Sequence, residues 1–361
     1  MFDPRASSSS GRTPDRGPVR GVAGRAWRTD AFADRRSFIV LCVLVAALVP
    51  SVAAAHAKWF VDTSCCPIRT DLIVSERTGI FVAVALLGLI VLYCLRRLLG
   101  PDWPDAPFLR RMAAGAPTLL AVQAGIGLVA AAAEPALFAP NMALPVNALG
   151  LALAAVQIAI AFTFITGLGD WIGALALIAL GPVGFLLFSP FDVLDSIHFA
   201  AMGVFVLVVG RAAVEPGHVR PWFARRGPDW SNRAIRTLRI LAGLAAVAPA
   251  FSEKLWNPEL GAQFLAAYPH FNVPRALLGM HWFTDDLFVL TIGVVEGTIG
   301  VLLASGLLTR VVILGMFVPF HLGVPFLPAA EYLGHIPLFA IMYVLLVHPR
   351  HAAPRTDSSA P

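Results

Sequence analysis

The sequence predicts an all-α, polytopic membrane protein, and its composition and hydropathy carry that prediction. Hydrophobic residues make up 58% of the 361 residues and charged residues only 14%, whereas a soluble domain carries about 25% charged residues. Apolar runs of about 20 residues recur along the chain, each long enough to cross a hydrocarbon core. The net charge of +5 does not indicate a nucleic-acid partner, because the basic residues cluster where membrane topology places them.

The N-terminal part of the chain divides into two predicted segments. Residues 1–33 are rich in Ser, Gly, Pro and Arg and are predicted to form a disordered cytoplasmic tail. Residues 34–55 begin with paired arginines and end at Ala53-Ala54-Ala55, a pattern that resembles a cleaved twin-arginine signal. The same residues also fit an uncleaved first transmembrane helix, which their length favours. Cleavage would make His56 the N-terminal residue.

The predicted outer segment, residues 56–77, opens with the run His56-Ala57-Lys58-Trp59-Phe60. As an N-terminal residue, His56 would bind copper through its amine and imidazole, so it is a candidate metal ligand. The favoured interpretation is an interfacial anchor, in which the two aromatic rings lie at headgroup level and the lysine extends towards water. The neighbouring Cys65 and Cys66 are a weak redox signal, because a disulfide between adjacent cysteines is strained.

Nine further apolar runs bring the predicted total to about ten transmembrane helices, counting the signal-like helix. The arginines fall at the cytoplasmic ends of these runs when every run spans, as the positive-inside rule requires. We therefore predict a bacterial cytoplasmic (inner) membrane protein, with both termini cytoplasmic if the first helix is retained. The predicted second transmembrane helix covers 78–97, a cytoplasmic loop 214–235 and a C-terminal cytoplasmic tail 350–361. The later runs are about 113–133, 146–167, 171–188, 197–213, 236–252, 286–305, 310–328 and 333–348.

A weak internal repeat relates two groups of four predicted helices, residues 111–213 and 236–349, at a shift of 139 positions. With four spans in each unit, both copies lie the same way up, as a parallel repeat about an axis along the membrane normal. Ionisable residues concentrate in the second copy. The paired positions include Gln157 with Glu296, Thr166-Gly167-Leu168 with Ser305-Gly306-Leu307, Pro182 with His321, and Ser196 with His335.

Two motifs of the second copy carry a family resemblance. They are Phe251-Ser252-Glu253-Lys254-Leu255, and Glu296-Gly297-Thr298-Ile299-Gly300 running into Gly306-Leu307-Leu308-Thr309-Arg310. They resemble the DoxX-like family of four-helix membrane proteins, covering 236–349 well and 111–213 weakly. That family includes a subunit of a thiosulfate:quinone oxidoreductase, and other members are linked with redox and thiol homeostasis. The resemblance implies a DoxX-like bundle and a quinone-associated subunit of a redox complex.

Ionisable residues inside the apolar runs and at their ends are the candidate site. A lone carboxylate such as Glu296 is costly in a bilayer unless it faces a protein interior or a polar cavity. We predict Glu296 and His321 as catalytic residues, because a carboxylate and an imidazole can hydrogen-bond the carbonyls of a quinone and deliver protons. Glu253, Lys254 and His335 are candidate cofactor-binding residues. The same polar groups also fit a metal ion, although no dedicated metal motif is present.

The sequence lacks the motifs that bind a nucleotide, haem c or an iron–sulfur cluster. A redox role would therefore require a periplasmic or membrane partner protein as electron donor. Two alternatives remain open: a small-solute or metal transporter or binding protein, and a structural partner of a periplasmic redox or thiol protein. The transporter or binding protein would use a polar track that the outer-loop residues His270, His281, Asp285 and Asp286 extend towards the surface.

Overall fold

The computed structural model describes residues 56–348 apart from 102, 105, 214–217, 228 and 324–328. Within this range it leaves out the side chains of 65, 110, 318–323 and 329–331. The predicted tails 1–33 and 350–361 and the signal-like segment 34–55 lie outside the described residues.

The described residues form fourteen α-helices and no β-strand, apart from one isolated antiparallel bridge between Ala136 and Ala143. Six helical stretches are long and apolar enough to cross a membrane, and two shorter helices are also apolar. The prediction of an all-α membrane protein is therefore confirmed. The helices are α1 Glu76–Leu99, α2 Pro107–Met112, α3 Ala116–Ala133, α4 Ala148–Thr166, α5 Asp170–Leu187, α6 Pro190–Asp195, α7 His198–Val209, α8 Pro221–Ala224, α9 Trp230–Ala250, α10 Pro258–Ala267, α11 Val273–Ala276, α12 Asp285–Ser305, α13 Thr309–Gly323 and α14 Ala329–Val347.

Burial separates a lipid-facing helix from a core helix. In α1 only 17% of the most apolar stretch is buried, against 61% in α12. The exposed side chains of α1 include Leu86, Leu87 and Ile90. A continuous apolar surface of this kind is not left in contact with water, so the lipid bilayer is the environment of α1.

Helix α9 begins at Trp230, six residues before the predicted start at residue 236. Its first two turns contain Arg233 and Arg236, which lower the local hydropathy and hide the helix from a search for apolar runs. The Arg233 guanidinium lies 4.9 Å from the centre of the Trp230 ring, a cation–π contact at the start of the helix. The predicted loop 214–235 is correspondingly shorter.

Helices α9 and α12 form the most extensive interface, and α9 also packs on α7. A glycine pair makes the first contact possible: a Cβ atom at Gly243 would lie 2.5 Å from the carbonyl oxygen of Gly300. Small residues let membrane helices approach to backbone contact in this way. Helix α14 packs on α3 and more lightly on α9, so α7, α9, α12 and α14 enclose one region of the interior.

The ends of α4 and α12 share one turn geometry. Gly167 and Gly306 both adopt left-handed backbone angles, with φ of 83° and 74°, a conformation that favours glycine. The preceding hydroxyls of Thr166 and Ser305 donate to the carbonyls of Phe162 and Leu302, at 2.7 and 2.6 Å. Each hydroxyl also accepts the backbone N–H two residues later.

Candidate functional site

Helix α9 ends in a wide turn that buries Glu253 and Lys254. Pro249 lies inside the helix and has no N–H to donate. The five residues after the end of the α-helix, Phe251–Leu255, form a π-helical turn, and the N–H of Trp256 donates to the carbonyl of Phe251 at 2.9 Å. All five residues of the turn are buried. Single π-helical turns within α-helices are frequent at functional sites.

The structure brings three predicted site residues together. The Lys254 Nζ atom lies 2.9 Å from the Oε2 atom of Glu296 on α12, and 3.9 Å from the Oε2 atom of Glu253. The glutamate side chains are 9% and 0% exposed. Lys254 therefore lies between two buried carboxylates, where its ammonium balances part of their charge.

Lys58 is also buried, contrary to the interfacial anchor that we favoured from the sequence. Its side chain is only 4% exposed, and its Nζ atom lies 3.0 Å from Asp195, 3.2 Å from Asp192 and 3.5 Å from Glu253. Burial by itself would lower the pKa of Lys58, but the charges of these three carboxylates raise it above its ordinary value. Lys58 is therefore a charged member of the site throughout the neutral range.

Contacts with α10 explain why the outer segment folds inwards. The Asn257 side-chain amide caps α10 and donates to the carbonyl of Cys66 at 2.7 Å. The Gln263 amide donates to the Cys66 sulfur at 2.9 Å, and the N–H of Arg69 donates to the Trp256 carbonyl at 2.8 Å. Cys66 is buried, whereas the side chain of Cys65 lies outside the description, so the predicted redox role of the pair stays a prediction.

His56 lies at the centre of an aromatic cluster. Its ring stacks on Trp59 with the ring centres 4.3 Å apart, and the His335 ring of α14 lies 5.3 Å away. A Cβ atom at Gly334 would lie 2.3 Å from the Trp59 ring, so the glycine leaves room for this ring against α14. On its other side, the His56 Nδ1 atom lies 3.6 Å from Asp195 and 3.7 Å from Glu253.

The sequence reasoning missed Asp192, Asp195 and His198. They follow one another at intervals of three in the run Phe191-Asp192-Val193-Leu194-Asp195-Ser196-Ile197-His198, a spacing that puts residues on one face of a helix. This spacing is the signal that could have identified them. The Asp192 carboxylate accepts from Asn141 and Ser189 at 2.7 and 2.6 Å, and His198 Nδ1 donates to the Asp195 carbonyl at 3.1 Å.

A cavity lies between these groups and the apolar faces of the surrounding helices. It is narrow, with a volume of about 40 Å³ and a partly open mouth, which is room for about three water molecules. Its lining is amphipathic: apolar side chains form one part, and imidazoles and carboxylates form the other. The lining residues are His56, Trp59, Phe138, Ala139, Asp195, Ser196, His198, Phe199, Ala242, Ala245, Ala246, Glu296, Gly334, His335 and Leu338.

Other predicted residues do not join the cavity. His270 and His281 are exposed, Asp285 pairs with Arg275 at 2.9 Å, and Asp286 pairs with Arg77. The side chain of His321 lies outside the described residues, so its predicted role stays a prediction.

Gln157, which the sequence repeat pairs with Glu296, has a different role. It is fully buried, and its amide oxygen accepts from the Phe138 N–H at 3.0 Å while its amide nitrogen donates to the Ala136 carbonyl at 2.8 Å. Gln157 therefore holds a loop, whereas Glu296 lines the cavity.

Two ammonium groups face four carboxylates in the described part of this site. Two carboxylates are therefore left to be balanced by protons, by protonated imidazoles or by a bound cation. No family model, curated protein or solved structure matches the chain.

Proposed function

We propose that the chain is a quinone-associated membrane subunit of a redox complex, with the quinone headgroup bound in the cavity. The amphipathic lining of that cavity is the observation that carries the proposal. Phe138, Phe199 and Leu338 supply apolar surface for a planar ring, while Glu296 and His335 supply polar groups for its carbonyl oxygens. Sites for such molecules combine an apolar wall with a few converging polar groups, and in this proposal the lining side chains move apart to admit the ring.

The proposed architecture is a ten-helix protein of the bacterial cytoplasmic (inner) membrane, with two parallel DoxX-like repeats. The common turn after Gly167 and Gly306 supports the repeat, because the sequence alignment pairs these two glycines. Helix packing supports it as well: α9 of the second copy packs on α7 of the first, and α3 of the first packs on α14 of the second. The cavity then lies at the interface of the two copies, as in other repeat-built membrane proteins.

Reduction of a quinone needs two electrons and two protons for its two carbonyl oxygens. Glu296 and His335 are the proposed proton donors at the cavity, because both line it and both side chain types transfer protons. Protons reach Glu296 along a chain of ionisable groups that begins at the half-buried Asp192 and continues through Lys58, Glu253 and Lys254. Successive nitrogen-to-oxygen distances along this chain are 3.2, 3.5, 3.9 and 2.9 Å.

The two electrons come from a partner in this proposal. The sequence offers no nucleotide, haem c or iron–sulfur motif, so the proposed donor is a periplasmic or membrane redox protein. The outer segment, whose His56 and Trp59 line the cavity, is the proposed docking region for that partner. The chain itself then contributes quinone binding and proton transfer.

Binding of decylubiquinone to the purified full-length protein tests the proposal. We expect saturable binding near one molecule per chain, weakened at least about tenfold by Glu296→Gln or His335→Leu, since a hydrogen bond to a charged group contributes about 1.5–3 kcal/mol. His335→Leu leaves the Lys254–Glu296 pair intact, so it separates loss of binding from loss of fold. The exposed His270→Leu is the matched control. Equal binding by all four proteins, or no saturable binding by any, would contradict the proposal.

A further inference from the structure

Three side chains at the edge of the cavity have the composition of a metal site. The nearest ligand atoms of His56, Asp195 and Glu253 all lie within 4.8 Å of one another. They come from three separate parts of the chain: the outer segment, the end of α6 and the π-helical turn after α9. One imidazole nitrogen with two carboxylates is a donor set that suits divalent first-row transition metals.

The two distances from His56 are close to the ligand spacing around such an ion. Two ligands of tetrahedral zinc, with bonds of about 2.0–2.2 Å, lie about 3.3–3.6 Å apart. The His56 Nδ1 atom lies 3.6 Å from the Asp195 Oδ2 atom and 3.7 Å from the Glu253 Oε1 atom. These separations are too long for hydrogen bonds. All three ligand atoms lie within 4.8 Å of one another, so an ion between them would contact all three once the widest pair had approached by up to about 1 Å.

Glu253 gives independent support, because its carboxylate is buried without a hydrogen-bond donor. Its side chain is 0% exposed, and neither oxygen has a hydrogen-bond partner among the described residues. The nitrogen atoms of His56, Lys58 and Lys254 lie 3.5–3.9 Å from it. An ionised carboxylate in such a place is costly unless a cation contacts it directly.

We propose that His56, Asp195 and Glu253 bind a divalent transition-metal cation in exchange with the ammonium group of Lys58. Lys58 contacts the same two oxygen atoms, Asp195 Oδ2 at 3.0 Å and Glu253 Oε1 at 3.5 Å, and it has a further partner in Asp192 at 3.2 Å. When the metal binds, Lys58 keeps Asp192 and releases the other two carboxylates. Lysine and metal therefore compete for one position.

This competition distinguishes a metal site from a network of ion pairs. If the cluster is structural, replacing Lys58 removes a partner and produces no affinity for metal. If it is a metal site, Lys58→Met removes the competitor and tightens metal binding. His56→Gln and Glu253→Gln remove a ligand and weaken it.

Zinc titration of the purified full-length protein without quinone is the test, with cobalt absorption as a second readout of coordination geometry. We expect one zinc ion per chain and tetrahedral cobalt bands. His56→Gln or Glu253→Gln should weaken binding at least about tenfold, since even outer-shell changes cost 10–100-fold, and Lys58→Met should tighten it. His56 is less buried than Asp195 and Glu253. His56→Gln and Lys58→Met therefore test the metal site even if Glu253→Gln fails to fold.

The exposed His270→Gln is the control for adventitious binding to surface imidazoles. Zinc affinity equal in His56→Gln and the unaltered protein, or affinity that falls in Lys58→Met, would overturn the metal site. The inference goes beyond the proposed quinone role, and its failure would leave that role untouched.

Discussion

Loss of the buried ion pair between Lys254 and Glu296 should lower the stability far more than loss of an exposed ion pair with the same nitrogen-to-oxygen distance. At 2.9 Å, two unit charges attract by about 6 kcal/mol at an effective dielectric constant of about 20, but burial of both groups offsets much of this. Lys254→Met leaves the Glu296 charge buried and uncompensated, which costs about 3–5 kcal/mol. Adding Glu296→Gln should recover part of that loss, because the remaining partner is then neutral.

The pair of Arg275 and Asp285 is a matched control. Its nitrogen-to-oxygen distance is also 2.9 Å, but its side chains are 49% and 44% exposed. Arg275→Met should therefore cost no more than about 1 kcal/mol. Thermal unfolding in detergent, followed by tryptophan fluorescence, compares the variants under identical conditions. The reasoning is refuted if Lys254→Met lowers the midpoint no more than Arg275→Met, or if the double variant is less stable than Lys254→Met alone.

Three further results are expected from the packing and from the proposed metal site. Gly243→Val should destabilise the protein by about 1–3 kcal/mol or more, because its side chain meets the α12 backbone. Gly181→Ala, with nothing within 4 Å of the added carbon, should be neutral or stabilising by up to about 1 kcal/mol. Equal changes of the unfolding free energy in Gly243→Val and Gly181→Ala would contradict the close packing at Gly243. Gly334→Leu should displace Trp59 and increase protease cleavage of the outer segment, which unchanged cleavage would disprove. Zinc at 100 times its dissociation constant should raise the unfolding free energy by about 2.7 kcal/mol, reversibly with chelator, and should have no such effect at that concentration in His56→Gln.

The helical class could be predicted from sequence because membrane helices are defined by local hydropathy. Helices α4, α5 and α12 begin and end within two residues of their predicted bounds. The apolar pattern predicts the start of α9 six residues too late, because the helix begins with charged side chains. Local hydropathy marks only the apolar part of a helix, so it does not detect a first turn that contains arginines.

The site could be predicted only in part, for the same physical reason. Glu296 is identified in the sequence because an ionisable group within an apolar run is rare and costly, and Glu253 and Lys254 are identified at the end of the predicted run 236–252. Lys58, a partner of Glu253, could not be identified, because its burial depends on contacts such as that of Asn257 with Cys66, which are 191 positions apart. A lysine beside aromatic residues has the same local pattern whether it faces water or a buried carboxylate.

Competition between a bulky side chain and a quinone for the cavity tests the central claim most directly. Ala246 lines the cavity, and Ala246→Phe would fill it without changing an ionisable group. Ala83 is exposed on the lipid-facing helix α1, so Ala83→Phe is the matched control. The account predicts saturable decylubiquinone binding by the unaltered protein and by Ala83→Phe, and loss of that binding in Ala246→Phe. Equal binding by the two phenylalanine variants would contradict it.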